Sequence, residues 1–311
     1  MKPNRHRIEE LRKRIAGLEG RLPSSFQSAP ALASATNRRE PGKECDPDKG
    51  ELVSGQLVER LKFHVQTLDS FFPEAGMKLS ALHEIYGTET RLSGGVIGFV
   101  SGLLAGILRN KSGPVLWVSE ERSLREIGSP YPSGLCSFGI DPARVIFVRA
   151  RRVEEALWVM EEGGQCPSLA GVLGEFRGDH AALGLTATRR LSLRSEQACL
   201  PFLLVRYGGT PMPTAALTRW RIEPMPSERA ASLENIIGRP RWLAYLERNR
   251  EGRMGRCALE WNYEQSCFRT ASENTVPMAQ GVGNRQNLPS GSGEVVALQH
   301  IDKSTRRLRK P

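Results

Sequence analysis

The chain has 311 residues, enough for one large domain with flexible ends. Its 39% apolar content supports a real core, and 6% aromatic residues point to an aliphatic one. Lys and Arg exceed Asp and Glu by 44 to 34, and the resulting +10 favours nucleic acid or an acidic protein as a neighbour. Six widely spaced cysteines with no C-x-x-C pair argue against a structural zinc site or a disulfide framework.

The chain opens with "MKPNRHRIEELRKRI", charged throughout, so no secretory signal is expected and the protein is expected to be cytoplasmic. Residues 5–22 carry Ile8, Leu11, Ile15, Leu18 and Leu22 at spacings of three and four, a narrow apolar stripe on a basic helix. Such a helix either docks on another protein or folds back on its own domain. Residues 23–50 are rich in Ser, Ala and Pro and read as a disordered linker. A core domain is expected over 51–264, and residues 265–311, ending in "STRRLRKP", read as a disordered basic tail.

Within the core, "VERLKFHV" at 58–65 looks helical. A short apolar run at Ile85 and Tyr86 breaks at Gly87, and a long apolar segment follows Gly94 and Gly95. This is the layout of a strand, a phosphate-cradling loop and a helix. The apolar window at 94–108 falls short of the ~20 residues a membrane span needs, so no membrane is expected. Nearly continuous apolar runs at 115–119 ("VLWVS"), 145–150 ("VIFVRA"), 169–175 ("LAGVLGE") and 201–206 ("PFLLVR") suit parallel strands buried on both faces.

Helices fall between these runs. One has Val153, Ala156, Leu157 and Met160 on a single face, with Glu154 and Glu155 in its first turn and Gly163 and Gly164 ending it. Another spans 186–199, with Arg189, Arg190 and Arg194 on its outer face. The repeat of strand and helix predicts an α/β domain with a mainly parallel sheet flanked by helices. Segments 217–223, 239–249 and 256–264 then read as antiparallel strands that extend one edge of the same sheet.

The candidate site is the loop formed by Gly87, Thr88, Ser93, Gly94 and Gly95. A working phosphate loop reads G-x-x-x-x-G-K-[ST]: backbone amides cradle the phosphates, the lysine grips the outer ones and the hydroxyl holds Mg²⁺. No lysine follows the glycines here, Arg91 stands before them, and Glu89 has the wrong sign for phosphate. Without the cation and the metal ligand the transition state for hydrolysis loses most of its stabilisation. Glu121 and Glu175 sit at strand ends where an active relative keeps its acids, and read as remnants or partner contacts. No metal or nucleophile spacing appears among the five histidines, and no cofactor is expected.

Two resemblances follow from particular segments. "LDSFFPEAGMKLSALHEIYG" at 68–87 is similar to the approach to the ATPase core of the RecA recombinase family. More narrowly, three segments resemble the ImuA family of damage-inducible mutagenesis proteins, with about residues 60–264 covered. They are "PVLWVSEE" with "GLCSFGIDPARVIFVRARRVEEALWVMEEG", then "LTATRRLSLRSEQACLPFLLVR", and "GRPRWLAYLERNREGRMGRCALEWNYE". The resemblance implies a RecA-like fold without the phosphate-loop lysine and a role in the SOS response. It further implies partnership with an ImuB-type Y-family polymerase relative and an error-prone C-family DNA polymerase in translesion synthesis, with RecA as a further partner.

Alternatives stay open at this level. Arg189, Arg190 and Arg194, with the loop "YGGTPMPT" at 207–214, suit a single-stranded-DNA-binding module. An ATPase with an unorthodox loop would use Glu121 and Glu175. Inhibitors of cell division related to SulA share the RecA-derived domain but are much shorter.

Overall fold

The computed structural model describes residues 52–53, 56–210, 212–227 and 238–272. The expected helix at 5–22, the linker at 23–50 and the tail beyond 272 lie outside the described residues. Nine strands form one sheet. They are β1 (Leu82–Gly87), β2 (Val115–Glu120), β3 (Val145–Ala150), β4 (Gly171–Arg177), β5 (Phe202–Tyr207), β6 (Thr218–Met225), β7 (Arg241–Asn249), β8 (Gly255–Asn262) and β9 (Cys267–Thr270). Their order is β9-β8-β7-β6-β1-β5-β4-β2-β3. All pairings from β6 to β3 are parallel, and those from β6 through β7 and β8 to β9 are antiparallel. The α/β class and the antiparallel extension of one edge are as the apolar runs predict.

Four expectations need correction. Residues 217–223 are not purely antiparallel, because β6 runs parallel to β1 and only its other side opposes β7. The core does not stop at 264: β9 pairs with β8, burying Phe268 and Ala271. Residues 58–65 are not helical; Arg60–Leu61 pairs with Met77–Lys78, and Leu61, Phe63 and Val65 are buried at the spacing of two that marks extended chain. The Asp69 carboxylate fixes this segment by accepting from the backbone N–H groups of Phe63 and Val65.

The fourth concerns the core. Among the described residues, five helices of six or more residues cover the sheet: α1 (Ser93–Asn110), α2 (Glu121–Ile127), α3 (Pro132–Ser137), α4 (Val153–Gly163) and α5 (Leu185–Ala198). The face under α4 and α5 is mainly aliphatic, with Leu82, Leu116, Val118, Leu191 and Leu204 beside Phe176 and Phe202. The face under α1 is instead dense in aromatic rings: Phe63, Phe72, Phe99, Trp220, Trp242, Trp261 and Phe268 are all buried there. Most of the buried aromatic residues are gathered on this face, so their overall share understates them there.

The glycines of α1 make that packing possible. A Cβ on Gly98 would stand 3.0 Å from Trp242, one on Gly102 would stand 2.4 Å from Phe268, and one on Gly106 would stand 2.9 Å from Leu61. Rings and side chains therefore rest directly on the helix backbone. With its leading turn the helix runs from Thr90 to Asn110, and by length and composition it could cross a membrane; here most of its side chains are buried against the sheet. At its far end Arg144 donates to the Leu108 carbonyl oxygen (2.8 Å), which the helix cannot satisfy internally, and to those of Lys111 (2.6 Å) and Gly113 (2.7 Å) in the turn that follows.

Candidate functional site

β1 carries the chain to Gly87, whose carbonyl oxygen accepts from Gly208 N–H at 3.0 Å. Gly208, with φ of 57°, stands so close to Thr90 that a Cβ would lie 2.7 Å from its hydroxyl. Thr88 and Glu89 are exposed. Thr90–Leu92 then forms a 3₁₀ turn that runs straight into α1, with the N–H of Leu92 donating to Glu89 O at 3.1 Å. A phosphate cradle needs successive N–H groups aimed at one point. Here the N–H groups of Leu92 and Ser93 are already taken up by Glu89 O and Thr90 O.

Gly94 and Gly95 belong to that helix and not to a loop. Gly94 faces open space, whereas a Cβ on Gly95 would stand 2.9 Å from Pro224 of β6. The indole of Trp242 also donates to Gly95 O at 2.7 Å. The lysine of a working loop would follow the last conserved glycine. If that glycine is Gly94, the lysine position is Gly95, packed against Pro224. If it is Gly95, the position is Val96, which is fully buried and whose methyl would stand 2.8 Å from a Cβ on Gly87. Under either alignment the position faces the interior. Ser93 is half-buried in the first turn. The Arg91 guanidinium is engaged by the Glu89 carboxylate, which it holds below the usual carboxylate range.

The structure does not bring the two acids together. Glu121 is the first residue of α2 and pairs with Arg125 at 3.2 Å. Its neighbour Glu120 is the one turned inward, buried with His180 Nε2 at 3.8 Å. Glu175 lies within β4, facing the aromatic side of the core. One of its oxygens accepts from Ser119 Oγ at 2.5 Å and from Trp117 Nε1 at 3.1 Å. Burial pushes its carboxyl above the ordinary range, and burial with the adjacent Glu175 charge pushes the Tyr207 phenol up in turn.

The three arginines are likewise unequal. Arg189 is exposed on α5, Arg190 pairs with Glu161 at 3.0 Å, and the stem of Arg194 lies over Gly164. A shallow groove of about 360 Å³ runs beside Arg190, lined by Leu157, Ala182 and Leu185. In the 207–214 loop, Thr210 donates to Asp179 through its N–H at 3.1 Å and its hydroxyl at 3.1 Å. Thr214 donates to Glu84 at 2.7 Å, so the loop is tied to the core at both ends.

Glu84 is the centre that the sequence reading missed. It is wholly buried in β1, yet it accepts from Arg206 of β5 (3.2 Å), Arg219 of β6 (2.8 Å) and Thr214, with Arg248 of β7 at 3.8 Å. Arg206 also donates to Asp179 at 2.9 Å. Four strands are joined through one carboxylate. The signal was an acid, beside His83, inside the strand-like "LHEIYG". Among the described residues no group of three or more His, Cys, Asp or Glu side chains is placed to hold a metal ion.

No family model matches the chain. Two curated relatives do, each described as Protein ImuA, from Caulobacter vibrioides strains NA1000 / CB15N and ATCC 19089 / CIP 103742 / CB 15. Each is 33% identical over 213 residues, spanning 64% of this chain and 82% of the relative.

Proposed function

The chain belongs to the ImuA family, and from that membership and the form of its loop we propose a non-catalytic, RecA-like accessory protein of SOS-induced translesion DNA synthesis. It acts in the cytoplasm by docking with an ImuB-type Y-family polymerase relative and an error-prone C-family polymerase. RecA and single-stranded DNA are further partners on this reading. The observation that carries the non-catalytic part is the interior orientation of both candidate lysine positions, Gly95 and Val96.

The physical argument is one of charge. A triphosphate seated at this loop would meet the Glu89 carboxylate and an arginine already paired with it. Two of the amides that would cradle it, those of Leu92 and Ser93, are already bonded within the leading turn of α1. Transition-state charge would go unneutralised. Glu121 and Glu175 then serve surface pairing and core packing, not water activation.

Calorimetric titration with ATP and Mg²⁺ tests this reading. The expected result is no saturable heat. Saturable binding with turnover lost in Glu121→Gln would restore the ATPase reading. Co-purification with an ImuB-type partner tests the docking part, and its absence at low salt would remove that part.

The DNA-binding reading rests on Arg189 and the overall positive charge. A salt titration of single-strand affinity separates it, since a phosphate-binding face weakens steeply with salt. With Arg190 paired to Glu161, we place it second.

A further inference from the structure

The sheet has two edges, and they differ in kind. β9 is four residues long and carries the exposed Arg269. β3 is six residues long, reads "VIFVRA", and pairs in unbroken register with β2 from Val115↔Val145 to Glu120↔Ala150. Its other side has no strand partner among the described residues. In a parallel ladder alternate residues turn their N–H and C=O groups outward, so β3 presents a row of open donors and acceptors.

Proteins usually blunt such an edge with proline, a bulge, an inward charge or a very short strand. β3 has no proline and no register shift. Val145 and Phe147 are half-buried against the aromatic core, and Val148 is half-buried against the aliphatic one. Both cores therefore reach this edge with apolar surface still uncovered. Just beyond them the chain places Arg149, Arg151 and Arg152, all exposed; the Glu155 carboxylate lies 3.5 Å from the Arg152 guanidinium and accepts from the backbone N–H of Arg151 at 3.1 Å.

We infer that β3 is a docking edge for an extended segment of a partner protein, apolar along its length and acidic at the end beside Arg149, Arg151 and Arg152. The backbone ladder supplies affinity, the apolar side chains of both faces select the body of the segment, and the arginines fix its register and direction. Nucleic acid fits less well, because it has no strand backbone to meet the ladder and no apolar side chains for Phe147 and Val148. The inference deepens the docking reading above. The two can fail separately, since nucleotide titration and partner co-purification do not depend on this edge.

The test uses the full chain and a short fluorescein-labelled peptide, a run of alternating valine and threonine followed by a run of aspartates, made in both chain directions. Saturable binding is expected for one direction. It should weaken roughly tenfold in the combined variant Arg149→Glu, Arg151→Glu, Arg152→Glu, the sum of three modest exposed pairs. Methylating alternate backbone nitrogens of the peptide keeps its charge but prevents strand pairing, and should abolish binding. Equal binding of the methylated peptide, or none by either peptide, overturns the inference. So does competition by a single-stranded oligonucleotide as strong as by unlabelled peptide. A dimer dispersed by Val148→Pro would assign the edge to a second copy and overturn it as well.

Discussion

The indole N–H of Trp242 meets the carbonyl oxygen of Gly95 at 2.7 Å, joining the antiparallel extension of the sheet to the first turn of α1. The place where a nucleotide loop would lie is thus anchored from below by β7, and by Pro224 of β6 beside it. On the proposed reading, packing occupies positions that phosphate chemistry would need.

The glycines of α1 should separate sharply on replacement by alanine. At Gly102 the new methyl would meet Phe268 at 2.4 Å. We expect a loss of about 1–3 kcal/mol from overpacking, read as a lower urea midpoint at unchanged slope. At Gly94, which faces open space, the same change should gain about 0.5–1 kcal/mol through helix propensity. Equal effects at the two sites would refute this account of the helix.

His83 should make the fold acid-sensitive. Its Nδ1 lies 2.8 Å from Thr218 Oγ1 and its Nε2 lies 2.8 Å from Lys78 O. A carbonyl oxygen can only accept, so Nε2 carries the ring proton to Lys78, and Nδ1 accepts from the Thr218 hydroxyl, whose oxygen accepts in turn from Trp220 Nε1. Burial lowers the imidazole to about 4. Between that value and about 6.5 the unfolded chain binds a proton that the folded chain does not. Stability therefore falls as pH drops through this window, by roughly 3 kcal/mol in full. A His83→Gln variant should show a flatter profile from pH 7 to 4 in urea titrations.

Glu175 acts with the opposite sign. Its carboxyl is raised by burial, so above the ordinary value the folded chain holds a proton that the unfolded chain has released. Stability from this group is present at low pH and is lost as pH rises from about 4.5 towards the raised folded value. Glu175→Gln removes that loss, and its unfolding midpoint relative to the parent should improve between pH 4.5 and 7. An advantage that shrinks over this range would contradict the assignment.

Removing the Glu84 carboxylate should be severe. Arg206, Arg219 and Arg248 would be left without their shared counter-charge in a largely buried setting. Loss of one partner from such a network typically amounts to about 3–5 kcal/mol, so Glu84→Ala should fold poorly or unfold at markedly lower denaturant. Adding Arg219→Met should recover part of the loss, and strict additivity would argue against coupling.

The parallel strands were legible because a strand buried on both faces is apolar without interruption, and the runs at 115–119 and 145–150 match β2 and β3 closely. The direction of β6 was not, because a strand's own residues do not say which way its neighbour runs. Glycines after a strand suggest a phosphate cradle. Their recurrence at 95, 98, 102 and 106 is instead a ridge for close packing, but its partners Trp242 and Phe268 lie far along the chain. That Glu120 and not Glu121 turns inward was not legible either, because spacing marks a strand's end without telling which of two adjacent acids faces the core.

The pairing of β1 has a consequence for how the protein is made. Its two sheet neighbours are β5, through Leu82↔Phe202, and β6, through His83↔Thr218. During synthesis β1 and the apolar α1 emerge from the ribosome long before either flank exists. Topology dominated by such distant contacts folds slowly and leaves hydrophobic surface open meanwhile. The nascent chain should therefore lean on chaperones until residue 225 has cleared the exit, and truncations ending before β6 should be insoluble.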